Sequence, residues 1–185
     1  MASAPLKRMT VDEFLVWAEA QPERRFELVH AQPVAMSPER AEHLDAKGDV
    51  YVALRQAIRA ARLPCHAFPD GMTVRVDDET AYVPDAVVHC GPRIDRKATT
   101  LPDPIIVVEV LSPSTGSVDV TAKLAGYFQV PSVQHYLIVD PIARQVIHHA
   151  RQDDATILTR IVTDGSLDLT PPGLALPLSD VLPSP

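Results

Sequence analysis

The chain has only two cysteines, Cys65 and Cys90, in 185 residues. That excludes a disulfide-dense scaffold and a four-cysteine zinc site. The two thiols can either pair or stay free and buried, and a reducing cytoplasm favours free thiols. No apolar run approaches the roughly 18 to 20 residues that cross a bilayer, so no membrane partner is expected. The opening MASAPLKRMT lacks a long apolar segment. A secretory leader is therefore not expected, and a cytoplasmic location is. There is no internal repeat and no low-complexity linker, which leaves no place to divide the chain. Net positive charge is also missing: the formal charge is -7. Nonspecific binding to duplex DNA relies on Lys and Arg neutralising phosphates, so the overall charge argues against a tight nonspecific nucleic-acid binder. A local basic patch remains compatible with it.

Hydrophobic residues make up 46% and charged residues 22%, an ordinary globular balance. Residues 1–185 therefore read as a single domain with a full core. Proline is abundant, at 18 residues. Pro171, Pro172, Pro177, Pro183 and Pro185 mark a tail from about 171 in which no regular structure is expected.

Thr10 and Glu13 form a capping-box pattern, followed by Phe14, Trp17 and Ala18 on one helical face. Pro22 closes that helix. Phe26–Val29 and Pro33–Met36 read as a hairpin around His30-Ala31-Gln32. Ser37-Pro38 opens a second helix reaching about Arg62, with Leu44, Gly48, Tyr51 and Ile58 on its inner face. Met72–Asp77 and Tyr82–Val88 alternate as a hairpin would. Leu101–Leu111 is a nearly continuous apolar strand pattern, a helix follows over 118–130, and strands follow near 135–140, 145–150 and 156–163. This order predicts an α/β or mixed α+β domain, a mixed sheet flanked by helices.

Two carboxylates interrupt this apolar pattern. Glu109 sits inside Ile105–Leu111. An ionised carboxylate buried there needs a partner cation, a proton or a metal. Asp85 follows Pro84 and heads the apolar run Ala86-Val87-Val88. Each alone has an ordinary reading: an ion pair or a solvent-facing strand end for Glu109, a turn residue for Asp85. Together, on neighbouring strands, they offer the oxygen ligands that Mg²⁺ or Mn²⁺ takes, and the backbone carbonyl of Val110 could add a third. Two converging acids also imply repulsion that Asp85→Asn would relieve. On the following helix Val120, Leu124 and Phe128 form the expected buried stripe. Asp119, Lys123 and Tyr127 run along its edge, so Lys123 either pairs with Asp119 on a wet face or returns toward the acids.

These residues carry a resemblance. The chain resembles the Uma-type restriction endonuclease family, a branch of the PD-(D/E)XK nuclease superfamily, over roughly residues 9–182. The shared stretches are Met9–Phe14, Phe26–Val29, Pro84-Asp85, the EVLSPST string Glu109–Thr115, Asp119 with Lys123 and Tyr127, and Tyr136–Pro141. The resemblance implies a four-stranded mixed core sheet between helices, with Asp85 and Glu109 as metal ligands. In the usual pattern a lysine stands two residues after the second acid. Leu111 stands there in this chain, and Lys123 matches the family's displaced lysine. Glu27 and His43 match a further family acid and histidine, while His30-Ala31 replaces the usual Asp-Gly turn. From the residues alone, Glu27 either faces the site or pairs with Arg24 or Arg25, and His43 is either a core histidine or a ligand. His148-His149 lies on a strand with its rings on opposite faces. Arg55, Arg59 and Arg62 on the second helix, and Arg93, Arg96 and Lys97 in a loop, either touch phosphates or are solvated surface.

The expected function is a Mg²⁺- or Mn²⁺-dependent endonuclease acting on DNA. Asp85, Glu109 and Lys123 would be catalytic, and Glu27, His43, Asp119 and Tyr127 would support them. A homodimer would cut both strands of a duplex. The alternatives are an inactive binding or assembly module on the same fold, and a hydrolase of another phosphodiester.

Overall fold

A computed structural model describes residues 8–112, 117–153 and 155–182, and only the backbone within 117–120. The elements in chain order are α1 (Val11–Glu19), β1 (Phe26–Val29), β2 (Gln32–Ala35), α2 (Ala41–Ala60), β3 (Cys65–Pro69), β4 (Val74–Arg75), β5 (Ala81–Tyr82), β6 (Ala86–Cys90), β7 (Pro104–Val110), α3 (Ser117–Tyr127), β8 (His135–Asp140), β9 (Gln145–Arg151), β10 (Ile157–Val162), β11 (Ser166–Leu169), β12 (Leu174–Pro177) and α4 (Leu178–Val181).

The predicted mixed sheet is present, with six strands rather than four, in the order β10-β9-β8-β7-β6-β3. Every pairing in it is antiparallel except β7 with β8. Parallel neighbours need a long crossover, and α3 supplies it. Strand β7 reads Pro-Ile-Ile-Val-Val-Glu-Val and is covered on both faces. Ile106, Val108 and Val110 pack with α2, α4 and the β11–β12 hairpin. Val107 packs on the opposite side with Tyr127, Tyr136 and Val133. A smaller sheet, β2-β1-β5-β4, lies beside the N-terminal helix, whose Thr10–Glu13 capping box is formed as predicted.

Several expectations are corrected. The run from Met72 to Val88 does not form one hairpin. β4 and β5 pair in the small sheet, and the chain then crosses through Val83-Pro84-Asp85 into the large one. Helix α2 begins at Ala41 without a side-chain cap. Its inner face is Lys47, Val50, Leu54, Ala57 and Ile58, while Leu44 is 51% exposed. The described part of the tail carries regular structure: β12 pairs with β11, and α4 packs on α2. Pro177 sits on a two-stranded edge, where no ladder donor is required of it. Cys65 and Cys90, directly opposite on β3 and β6, are joined by a disulfide rather than free.

The β1–β2 turn is shorter than predicted: His30 and Ala31 alone, both at positive φ (49° and 65°). A tight two-residue turn of this kind favours Asn-Gly or Asp-Gly. Ala31 is held by burial and by its N–H donating to Glu79 O at 2.7 Å, which offsets the strain. Gly126 answers a different need. A Cβ there would meet Tyr82 at 2.7 Å, so glycine lets α3 seat against β5.

Candidate active site

Strand β7 alternates, so Glu109 shares its face with Val107, beneath α3. Lys123 and Tyr127 stand one helical turn apart on α3 and reach down together. Tyr127 Oη donates to Glu109 Oε1 at 2.7 Å, and Lys123 Nζ lies 3.1 Å from the same oxygen. Glu27 enters from β1 in the other sheet. Its Oε1 takes Lys123 Nζ at 3.0 Å and the Val83 N–H at 2.8 Å. Lys123 thus faces the acids. Asp119 lies outside the residues whose side chains are described. Tyr127 is fully buried, not on an edge, because it packs between Tyr82 and Tyr136.

Asp85 sits just ahead of β6. Ala86 pairs with Val108 and Val87 with Val107, so one further step of that register sets Asp85 opposite Glu109. Its Oδ2 accepts the Val110 N–H at 2.6 Å, tying it to the peptide beside Glu109. Its Oδ1 lies 2.9 Å from Lys47 Nζ, a residue that sequence reasoning missed. Lys47 is buried and also contacts Glu39 at 2.7 Å and Asp70 at 2.6 Å, while Asp70 in turn pairs with Arg25. The signal was present: Lys47 stands at helical spacing on the stripe Val50, Leu54, Ile58. A lysine on such a stripe needs buried acids. Asp85 is therefore an ion-pair partner, so neutralising it would also take a counter-charge from Lys47, which opposes the expected relief of repulsion.

His43, one turn before Lys47 on α2, has a buried Nδ1 with no hydrogen-bond partner among the described residues. A ring nitrogen of His43 and carboxylate oxygens of Glu39 and Asp85 all lie within 4.8 Å of one another. Glu27 pairs with neither Arg24 nor Arg25, since Arg25 is engaged with Asp70.

Burial pushes the Glu109 carboxyl up to about 8. Lys123 opposes that shift, while the charges of Asp85 and Glu27 reinforce it. Burial and the Glu109 charge hold the Tyr127 phenol well above its usual value, so it remains a donor. Burial works against the Lys47 ammonium, but Asp85, Asp70 and Glu39 outweigh it and raise its pKa. Burial also works against the Asp70 carboxylate, and Arg25 and Lys47 overcome it, lowering its pKa.

The site is thus a row of acids, Glu27, Glu109, Asp85, Asp70 and Glu39, threaded by two buried lysines. Residues 11–181 match the Uma2 family, described as "Putative restriction endonuclease". The chain belongs to the Uma2 family. A relative from Synechocystis sp., the "Uncharacterized protein slr1290", is 29% identical over 184 residues, 94% of this chain and 90% of its own length. A second, sll1609 of the same organism, is 27% identical over 93 residues, 49% of this chain and 52% of the relative. Among solved structures, a "putative nuclease belonging to DUF820" from Anabaena variabilis superposes with a TM-score of 0.72. It shares 20% identity and covers 94% of this chain and 97% of its own, which establishes the shared fold. Among the described residues, no helix is long and apolar enough to cross a membrane.

His148 and His149 face opposite ways, as their strand position requires. His148 meets His135, and His149 meets Thr159. Neither approaches the acids through any of these contacts.

Proposed function

We propose that this Uma2 protein is a divalent-metal-dependent endonuclease of DNA, with Asp85 and Glu109 holding Mg²⁺ or Mn²⁺ and Lys123 acting beside them. The observation that carries this reading is the convergence of Glu109, Glu27, Lys123 and Tyr127 from three elements, next to Asp85. Buried carboxylates that outnumber their cations are an arrangement a hard divalent cation satisfies. The partnerless Nδ1 of His43 fits as well, since imidazole nitrogen is a common metal donor. Asp85, Glu109 and the carbonyl of Val110 form one candidate donor set. Glu39, His43 and Asp85 form a second, and Asp85 belongs to both. When bound, the metal supplies a Lewis acid for the phosphate and lowers the pKa of an attacking water.

The chain's own residues do the rest. Tyr127 donates to Glu109 and fixes its orientation. Lys123 brings positive charge to the edge of the acid row, where a phosphodiester gains negative charge in its transition state. Glu27, anchored by the Val83 amide, holds Lys123 on that side. Each chain carries one such site, so cutting both strands of a duplex calls for a homodimer. The test is plasmid nicking with Mg²⁺ or Mn²⁺, paired with calorimetric metal titration of wild type and Asp85→Ala. Nicking that disappears with Asp85→Ala supports the reading, and wild type inert toward DNA with every metal sinks it.

A second reading rests on Lys47. Its ammonium already neutralises Asp85 at 2.9 Å, the arrangement expected of a non-catalytic binding or assembly module that keeps the fold without metal. Metal titration separates the two, because the module takes up no cation at Asp85.

A further inference from the structure

A cavity of about 560 Å³ lies along β3, the edge strand of the large sheet, within the range that holds a small organic ligand. Its charge is opposite to that of the molecule. Arg55 and Arg59 line it from α2, one helical turn apart, and Arg93 and Arg96 line it from the loop after β6. The one acid among the lining residues is Asp95, whose Oδ1 already accepts the Lys97 N–H. None of the four guanidinium groups pairs with a carboxylate among the described residues, whereas Arg25, Arg75 and Lys47 elsewhere all do. In a chain of net charge -7, four arginines without a carboxylate partner among the described residues give this one concavity a local positive charge that suits an anion. Arg55 is further organised by Tyr51, whose hydroxyl accepts from it at 3.2 Å and whose ring lies 5.4 Å from the guanidinium carbon.

The wall also carries an aromatic face. Phe68 on β3 is half-buried and lines the cavity. The next residue, Pro69, pairs with Ala86 beside Asp85, and Asp70 contacts Lys47, which contacts Asp85. The cavity therefore ends where the acid row begins. Guanidinium groups around an aromatic face suit a nucleotide, with phosphate on the arginines and base on the ring. A duplex, with its bases stacked and paired inside, does not enter a concavity of this size, whereas an unpaired nucleotide does.

We propose that this cavity binds one unpaired nucleotide of a nucleic-acid strand, its phosphates on Arg55, Arg59, Arg93 and Arg96 and its base against Phe68, and so leads the strand to the acid row. This rests on the nuclease reading for what happens next, but binding at the cavity is measured without it.

The experiment is fluorescence anisotropy of a labelled single strand of about 12 nucleotides, in EDTA, with the full chain. The double variant Arg59→Ala/Arg93→Ala removes one exposed arginine from each wall. It should reduce the salt slope of binding by about 1.4 and the affinity roughly tenfold near 0.15 M salt. Phe68→Leu keeps the apolar bulk and removes the ring. It should weaken the single strand on the order of tenfold. Wild-type affinity in both variants, or no binding by wild type, would overturn the proposal. So would a blunt duplex or a mononucleotide binding as tightly as the single strand. Asp85→Asn should abolish nicking and leave this binding intact. Cavity-dependent binding by a wild type that nicks nothing would remove the nuclease reading and leave the cavity standing. Nicking with an unchanged KM in Arg59→Ala/Arg93→Ala would remove the cavity and leave the nuclease.

Discussion

Lys123 Nζ lies 3.1 Å from Glu109 Oε1, joining the helix after β7 to the one carboxylate inside it. The same ammonium lies 3.0 Å from Glu27 on the other sheet, so a single cation ties three elements together. Both acids are largely buried, and removing their shared cation leaves Glu27 only the Val83 amide and Glu109 only the Tyr127 hydroxyl. Lys123→Ala should destabilise the fold by about 3 kcal/mol, the scale for breaking a buried pair. If this protein is the nuclease proposed, turnover should fall by roughly 10² or more, while metal affinity holds or rises. Chemical denaturation and plasmid nicking on this variant check both effects. A stability change below about 1 kcal/mol, as for a pair on a wet helix face, would contradict the buried geometry.

The position of Lys47 on the apolar stripe of α2 signalled a buried ammonium, but nothing near it in sequence named its partners. Its partners Asp70 and Asp85 come from the segments after β3 and before β6, brought together only by strand pairing. Lys47→Met removes the charge and leaves three carboxylates facing one another. Stability should fall by about 3 to 5 kcal/mol at neutral pH. Part of the loss should return when a divalent cation is added, since the cation takes over the neutralising role. Thermal melts with and without Mn²⁺ report this, and a loss that Mn²⁺ leaves untouched would count against a metal at Asp85.

The acids were legible because they broke a pattern. Glu109 stands in an apolar strand, and Asp85 heads another. Lys123 and Tyr127 were legible as positions but not as environments, since α3's tilt depends on Gly126 meeting Tyr82. Periodicity placed Tyr127 on an edge, and close approach buried it. The tail was misread for a related reason. Proline content argues against a central strand, but it leaves open an edge strand like β12, whose Leu174 and Leu176 alternate into the core. The disulfide depended on a register that pairs Cys65 with Cys90, and register is set by the whole sheet.

The buried histidine pair makes acid sensitivity predictable. Burial lowers the pKa of both His135 and His148, which favours two neutral rings near neutral pH. In a neutral His135 the Nε2 that meets the Pro171 carbonyl at 2.8 Å donates to it, and Nδ1 then accepts from His148 Nε2 at 2.9 Å. Burial, then the neighbouring His135 and Arg160, lower His148 to about 4 from 6.5. A folded-state value below the unfolded one means that the unfolded chain takes up the proton first as pH falls. This contribution to stability is present above pH 6.5 and is lost on the way down to about 4, amounting to up to about 3 kcal/mol. His148→Gln keeps a donor toward His135 and does not titrate. It should flatten the fall of Tm across that window, and parallel curves for the two proteins would rule out the neutral pair.

The two donor sets around Asp85 make opposite demands on two single variants. If the cation sits between Asp85 and Glu109, it must displace the proton that burial keeps on Glu109 up to about pH 8. Metal affinity should then climb with pH through 8, and calorimetry in buffers of different ionisation enthalpy should show a proton released on binding. Glu109→Gln would remove both the affinity and the proton, while His43→Ala would leave them in place. If instead the cation sits among Glu39, His43 and Asp85, the partnerless His43 Nδ1 gains its missing partner. His43→Ala should then weaken Mn²⁺ binding by 10-fold or more, the scale for losing a metal-site group, and Glu109→Gln should matter little. We expect the first outcome. One further step of the β6–β7 register sets Asp85 opposite Glu109, whereas Lys47 holds Glu39 and Asp85 together at 2.7 and 2.9 Å, and its charge repels a second cation from that side. Mn²⁺ affinity lost in His43→Ala and kept in Glu109→Gln would move the metal to the α2 side of Asp85 and take Glu109 out of the ligand set.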